Sequence, residues 1–571
     1  MGERKEITAM EGNTIGYLVG GSLKENFQVR LTVPPTEIQE GAFVVIETEE
    51  RLFYGLITDL RLGATDPRFA DEQSEMRLPP LLAQALHGQT LFTTAEVLPA
   101  LMLERGPDPA SPAYQAWQQA HSTPAGPIPV KTVPPHHAPA RLATAGDIAE
   151  IFGKPDDRHF IIGYTREQGH PVTIDLEKFV QRSAGIFGAT GTGKSFLTRI
   201  LLAGLIKYNQ TSLLVLDMHS EYGYDDVASD TKERVTGLKT KFPARVLVVG
   251  LGRGTLIHEQ PPDFHLELAY SDIHTSDIEL LARELNLRET APTVLQALEK
   301  SFGREWLLKF KEMNREEIEE EDENGKVRRV PHPGSVAAWA DDTGVNRMAA
   351  ESLHDKLRRI FNKAYLVERP ASDSLGQIIQ ALTNGQHVIL SFGRHDEDLD
   401  YLLVSNVLSR RIREEWEKRT DEFRSGKSKV EPRPLVIVVE EAHKLLNREL
   451  AGQTSFARIA REMRKYYVTL LIIDQRPSQI YDEVMSQLGT RISGWLGDED
   501  DIHAVLAGLA GRDALRGMLA RLQPKEEVLL LGWGIPMPIP VRSRRYDAQF
   551  WKELFSERKR TTEEKLAELM P

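Results

Sequence analysis

The sequence predicts an α/β protein: a mostly parallel sheet with helices between its strands, a small β-barrel ahead of it and a helical insertion within it. Three observations predict this. From about residue 180 onward, short apolar runs rich in Val, Leu and Ile recur with helical stretches between them, as buried strands of a parallel sheet do. The first 60 residues instead carry closely spaced, alternating short strands, the pattern of a small barrel. Between about 265 and 362 the strands stop and a helical period takes over, as in Ile278-Glu279-Leu280-Leu281-Ala282-Arg283-Glu284-Leu285.

Taken in order, Phe27 to Val33 alternates strictly, Glu40-Gly41 reads as a turn, and Ala42 to Glu47 and Leu52 to Leu60 make further strands. Around residues 62 to 82 the pattern dissolves, and prolines at 124, 127, 129, 134, 135 and 139 read as an extended connection. Barrel and Pro-rich linker are therefore placed at 1–150. The sheet strands are expected at Leu213 to Leu216, Val246 to Val249, Val388 to Phe392, Leu435 to Val439, Thr469 to Ile473, Ile492 to Leu496 and Val528 to Leu531. The core then occupies 151–264 and 363–546 on either side of the helical insertion at 265–362, and 547–571 is a charged helical tail. The acidic run from Glu316 to Asp322 reads as a solvated helix face or loop.

Composition bounds the function classes. The chain has 571 residues, enough for about three or four domains. It has no cysteine, which excludes disulfides, thiolate metal sites and a Cys nucleophile. Its longest apolar runs are far short of a membrane span, and no secretory or myristoylation signal is present at its start, so no membrane partner and a cytoplasmic location are expected. A net charge of −13 argues against a surface that embraces nucleic acid all round, while leaving room for a locally basic channel.

The chemistry begins at Gly188-Ala189-Thr190-Gly191-Thr192-Gly193-Lys194-Ser195. It follows the apolar Ser183-Ala184-Gly185-Ile186-Phe187 and precedes the amphipathic stretch opened by Phe196. The glycines let backbone N–H groups and a helix N-terminus wrap around phosphates. Lys194 would pair the β- and γ-phosphates and Ser195 would ligate Mg²⁺, so the cofactors expected are ATP and Mg²⁺. A second element, Leu435-Val436-Ile437-Val438-Val439-Glu440-Glu441, is an apolar strand ending in paired carboxylates. Glu440 is assigned to the Mg²⁺ side and Glu441 to polarising the attacking water. A third strand, Val468 to Asp474, runs into Gln475-Arg476-Pro477-Ser478, where Gln475 can sense the γ-phosphate. Asp217-Met218-His219-Ser220-Glu221-Tyr222 falls at the same carboxyl edge, where open α/β sheets bind ligands; a lone His219 is more often structural than catalytic. The paired His136 and His137 lack the spacing of a metal site.

Together, Gly188 to Ser195, Asp217 to Tyr222, Glu440-Glu441-Ala442-His443, and Arg464-Lys465-Tyr466 leading to Gln475-Arg476-Pro477-Ser478 resemble the bacterial-type HerA family of hexameric DNA-translocating ATPases, in the HerA/FtsK branch of P-loop proteins. The resemblance implies a RecA-like core with a HAS-barrel-like N-terminal domain and an inserted helical bundle. Two departures stand out: Asp474 where Thr is usual before Gln475, which changes the charge beside that residue, and Met463 where Gly is common.

The resemblance further implies a homo-hexamer with nucleotide at subunit interfaces, completed by a neighbour's Arg182 and by Arg464. Either arginine is equally an ordinary sheet-edge residue by its sequence position. Arg448 and Arg458, flanking Ala451-Gly452-Gln453-Thr454-Ser455, are candidates for double-stranded DNA contacts, a solvated loop being the other reading. The implied function is a DNA translocase or helicase, active in DNA end processing and repair or in antiviral defence. Its implied partner is a NurA-like nuclease or a sirtuin-like NADase docking on the N-terminal barrel. Alternatives are an ATPase scaffold that activates an attached effector, and a secretion or conjugation motor, against which the lack of a membrane segment counts.

Overall fold

The computed structural model describes residues 14–65, 91–106, 112, 114, 117, 126–227, 232–321, 327–450 and 454–556. The N-terminal barrel is built from β1 (Thr14–Gly20), β2 (Phe27–Leu31), β3 (Phe43–Glu47), β4 (Arg51–Ala64), β5 (Leu91–Glu104), β6 (Ile128–Pro129) and β7 (Pro139–Leu142). The order β2-β1-β7-β3-β4-β5 closes into a six-stranded ring through β2–β5 pairing, and β6 is appended to β5. Alternate residues such as Val29, Val44, Ile57 and Val97 fill its interior.

Two features of this barrel differ from the sequence reading. The Pro-rich connection is not only a linker, because Pro139–Leu142 is a barrel strand wedged between β1 and β3. Strand β5 was hidden by Pro99, which ordinarily demotes a strand. Pro99 sits at a β-bulge, where the β4–β5 register shifts between Tyr54 and Gly55, so its missing N–H interrupts a ladder already broken there. Of the stretch expected to lose its pattern, β4 continues to Ala64 and residues 66–82 lie outside the described residues.

The remaining strands are β8 (His159–Tyr164), β9 (Pro171–Asp175), β10 (Ala184–Phe187), β11 (Ser212–Asp217), β12 (Asp226–Val227), β13 (Arg234–Val235), β14 (Val246–Leu251), β15 (Phe264–Leu266), β16 (Leu268–Ala269), β17 (Glu317–Glu321), β18 (Val327–Pro331), β19 (Leu366–Val367), β20 (His387–Ser391), β21 (Leu435–Glu440), β22 (Val468–Asp474), β23 (Thr490–Ser493), β24 (Glu527–Gly532) and β25 (Ile539–Ser543). Twelve of them form one sheet in the order β15-β14-β20-β11-β21-β22-β10-β23-β24-β25-β8-β9. Pairing is parallel from β15 to β23 and antiparallel from β23 to β9. Val528 to Leu531, expected in the parallel set, therefore runs the other way. The central strands are buried along their whole length, which is why they read as unbroken apolar runs.

Between β16 and β19, which pair to close its base, a helical unit packs Trp306, Phe310, Trp339 and Phe361 into a common core. The acidic run inside it is neither helix nor loop. Its Glu317–Glu321 forms β17, paired antiparallel with β18 so that Glu319 faces Arg329 and Glu320 faces Arg328, while Asp322 lies outside the described residues; opposite charges across a ladder stabilise an exposed ribbon. No helix among the described residues is long and apolar enough to cross a membrane.

The C-terminal helix Ala548–Phe555 is not a free charged tail. It buries Phe550 and Trp551, the latter against Tyr546 and Phe242 with ring centroids 5.3 and 6.0 Å away; residues 557–571 lie outside the described residues. Trp551→Ala is expected to destabilise the sheet domain by about 3 kcal/mol. A fall in the urea midpoint measures it, and an unchanged midpoint would mean that the helix is undocked.

Candidate active site at the phosphate loop

Strand β10 is four buried residues long and lies between β22 and β23, with Phe187 opposite Asp474 and Ser493. The Gly188–Ser195 loop springs from its carboxyl end. Gly188, Gly191 and Gly193 have φ of +153°, +77° and +89°, values that side chains disfavour. A Cβ on Gly188 would come 2.6 Å from Thr192 Oγ1, and Thr192 donates to the Ala189 carbonyl at 2.8 Å, drawing the loop tight. The loop is anchored from outside by Ala189 N, which donates to Trp495 O at 2.9 Å. Lys194 then opens the helix Lys194–Tyr208, whose first-turn N–H groups have no helical acceptors.

Lys194 Nζ lies across the loop, donating to the carbonyls of Gly188 at 2.7 Å and Ala189 at 2.9 Å. Burial holds its pKa below the usual lysine value, against the pull of Glu441, Asp474 and Glu221. Ser195 is half-buried in the same first turn, and Phe196 stacks loosely toward Tyr546 at 6.4 Å.

Beside this loop, β11 and β21 end in Asp217 and Glu440. Asp217 accepts from the backbone N–H groups of Glu221 at 2.8 Å and Tyr222 at 3.0 Å. The Tyr222 hydroxyl donates to Glu440 Oε1 at 2.6 Å, and Tyr401 donates to the Glu440 carbonyl at 2.7 Å. Burial, and then the Asp217 charge, hold the Glu440 carboxyl well above the usual carboxylate range. Glu440 Oε2 and Glu221 Oε2 are buried without a partner among the described residues. Such a pocket calls for a proton or a cation as counter-charge. No group of three or more His, Cys, Asp or Glu among the described residues could hold a metal by itself, so a cation here would share its coordination with phosphate oxygens, the usual habit of Mg²⁺.

Glu441 follows with φ of +45°, a strained value for a side-chain-bearing residue. Its Oε1 accepts from Gln475 Nε2 at 2.9 Å, while Gln475 Oε1 accepts from the Thr190 hydroxyl of the loop. One amide thus joins the phosphate loop to Glu441. Asp474 is turned to His443 and the backbone. It accepts from His443 N at 2.7 Å, from His443 Nδ1 at 3.0 Å and from Arg476 N at 2.7 Å. The hydrogen bond to Asp474 raises the His443 pKa.

The other sequence candidates lie elsewhere. Arg182 and Arg464 precede the amino ends of β10 and β22, so each is separated from the loop of its own chain by a strand, about 13 Å for four residues. The Arg182 guanidinium stacks 3.9 Å from the ring centre of Trp533, which is 49 % exposed; Arg464 is exposed in the short turn Met463–Tyr466. His219, Arg448 and Arg458 are exposed as well, and residues 451–453 of the expected DNA-contacting segment lie outside the described residues. Sequence reasoning had given no individual role to Tyr222, Tyr401 or His443, and had placed Thr190 in the phosphate loop without its link to Gln475. For Tyr222 the signal was present, since a Tyr five residues after a strand-end Asp can reach the next strand end; for Tyr401 there was none.

The family description "helicase HerA, central domain" matches residues 160–412. The chain is 22% identical over 541 residues to the DNA double-strand break repair helicase HerA of Sulfurisphaera tokodaii, covering 94% of each protein. It is 24% identical to the protein of the same name from Sulfolobus acidocaldarius, over 84% of this chain and 82% of that one. Among solved structures, VirB4 of Thermoanaerobacter pseudethanolicus aligns with a TM-score of 0.41 at 14% identity, over 69% of this chain and 99% of that one.

Gly188→Ala is expected to weaken ATP binding at least about tenfold, because the strain and the clash with Thr192 distort the loop. Titration with a fluorescent ATP analogue measures it, and wild-type affinity would mean that the loop does not hold phosphate. Lys194→Ala is expected to abolish ATP hydrolysis in a protein whose circular dichroism is unchanged.

Proposed function

We propose, from the premise that this chain belongs to the HerA family and is a P-loop ATPase, that it assembles into a homo-hexameric ring which uses ATP hydrolysis to translocate double-stranded DNA. The observation that carries this reading is the separation of the charges. The phosphate loop, Glu441 and Gln475 lie at one edge of the sheet, and Arg182 and Arg464 at the other, beyond reach of their own loop. Arginines so placed can complete a nucleotide site only on a neighbouring copy, and a site completed in trans couples hydrolysis to assembly.

In this reading the loop N–H groups and Lys194 bind the β- and γ-phosphates of ATP, and Glu441 accepts a proton from the attacking water. Gln475, bonded to both Thr190 and Glu441, carries the state of the γ-phosphate to the strand end. Ser195 and Glu440 would hold Mg²⁺, which supplies neutralising charge along the phosphates. Tyr222 orients the Glu440 carboxyl by occupying Oε1 and leaving Oε2 free. Arg448 and Arg458 present positive charge on the segment after the catalytic strand, suited to phosphate contacts along DNA. In the same reading the barrel would dock a partner nuclease or NAD-consuming effector, and the protein would act in DNA end processing or anti-phage defence.

Linear duplex DNA is expected to stimulate ATP turnover by the assembled ring; an ATPase indifferent to DNA would leave a scaffold rather than a motor. Glu441→Gln is expected to bind ATP but to hydrolyse it at least about a hundredfold more slowly, the scale of losing a general base. Rings mixed from Arg182→Ala and Glu441→Gln subunits are expected to regain part of the activity wherever an intact Arg182 faces an intact Glu441. No recovery in rings shown by mass to be mixed would remove the trans role.

A further inference from the structure

Asp474 joins the two loops that carry Glu441 and Gln475. It closes β22, lies opposite Phe187 and is 1 % exposed. Its Oδ2 accepts from the His443 backbone N–H at 2.7 Å and from His443 Nδ1 at 3.0 Å, fixing the segment that follows Glu441. Its Oδ1 accepts from the Arg476 N–H at 2.7 Å, fixing the segment that follows Gln475. His443 Nδ1 also lies 3.6 Å from Glu441 Oε2. Both oxygens of one buried carboxylate are thus used, Oδ2 on the His443 segment and Oδ1 on the Arg476 N–H with a longer 3.3 Å contact to His443 Nδ1, and the two side chains those loops carry meet at 2.9 Å.

We propose that Asp474 is a positioning residue for hydrolysis, holding Glu441 and Gln475 against each other and against the phosphate loop through His443 and Arg476. The proposal rests on the reading of Glu441 as the group that polarises water. The physical need for it is local. Glu441 keeps a left-handed backbone, a conformation that persists only where the surroundings over-determine it. A hydroxyl at this position would have to serve both loops from one oxygen, whereas a carboxylate has a second oxygen to divide between them. Charge-assisted hydrogen bonds to a buried carboxylate are also the stronger kind, so the clamp is stiff where a looser anchor would let Glu441 and Gln475 drift independently.

The test uses the full-length protein. Asp474→Asn keeps the shape and removes one acceptor oxygen and the charge. It is expected to lower kcat at least about tenfold, the scale of losing a charge-assisted hydrogen bond. KM for ATP and affinity for a non-hydrolysable ATP analogue should stay at wild-type values, with the protein folded at the assay temperature although its melting temperature falls. In a Glu441→Gln background the same change is expected to lower the residual rate less than twofold, since the group it positions is already gone. His443→Gln, at a half-buried site with Asp474 intact, is expected to lower kcat in the same way and serves as the deciding variant if Asp474→Asn does not fold. Wild-type kcat in Asp474→Asn, or in His443→Gln as the deciding variant, overturns the proposal. So does a loss that is undiminished in the Glu441→Gln background, or one matched by an equal loss of nucleotide affinity. Full turnover in Glu441→Gln alone would instead overturn the reading of Glu441, a separate result.

Discussion

In the pairing of β21, β22 and β10, Glu440 lies opposite Ile473 and Phe187 lies opposite Asp474, and the contacts among Glu441, Gln475 and Asp474 beside the phosphate loop depend on that register. A slip of one residue would turn each side chain to the other face of the sheet, taking Asp474 away from His443 and Gln475 away from Glu441. The register is held at the amino end of the strands and along their length. At the amino end, Thr469 Oγ1 donates to Val180 O at 3.2 Å and Leu470 N donates to Ser183 Oγ at 3.1 Å. Between the ends, Ile186, Leu471 and Ile472 are buried without exposure, so a slip would also have to expose apolar surface.

The site is built against stability. Asp217 and Glu440 share a buried pocket in which burial raises both carboxyl pKa values, and two buried acids near each other cost free energy unless a proton or cation compensates. The fold lowers that cost with donors: two backbone N–H groups for Asp217 and the Tyr222 hydroxyl for Glu440. It does not complete the set, since Glu440 Oε2 is left without a partner among the described residues. A pocket optimised for stability alone would have apolar groups here. Retaining acids in it is the mark of a site shaped for a cationic or protic visitor.

The barrel and the phosphate loop share supports although they are far apart in sequence. Arg166 donates to Glu40 O of the barrel at 2.9 Å and to Glu527 Oε2 of the sheet at 2.8 Å, and Arg521 pairs with Glu40 at 3.3 Å. Glu527 also accepts from Gln523 N at 2.9 Å, closing the turn whose Lys525 Cα backs onto Gly193, 3.6 Å from where a Cβ would stand. On the other side of the loop, Trp495 accepts from Ala189 N and donates its indole N–H to Ala520 O at 3.0 Å, at the end of the helix Arg512–Ala520. Hydrogen bonds, an ion pair and a close backbone approach therefore link the barrel to the segments that back the loop.

The sequence by itself determined the parallel core and the phosphate loop. A strand buried on both faces needs a continuous apolar run, and a loop that folds around phosphate needs Gly at its left-handed positions. Glu440, Glu441 and Gln475 were picked out for the same local reason, as polar residues at or just past the end of such a run, and the structure brings Glu441 and Gln475 together. The barrel strand at Pro139–Leu142, the β17–β18 ribbon and the antiparallel direction of β24 were not legible, because each depends on a partner strand far away in the chain. Only the tertiary structure decided that Asp474 turns to His443 and that Tyr222 and Tyr401 reach Glu440. The physical reason is that hydrogen-bond geometry and the two edges of a sheet are properties of paired strands, and local sequence pattern carries neither.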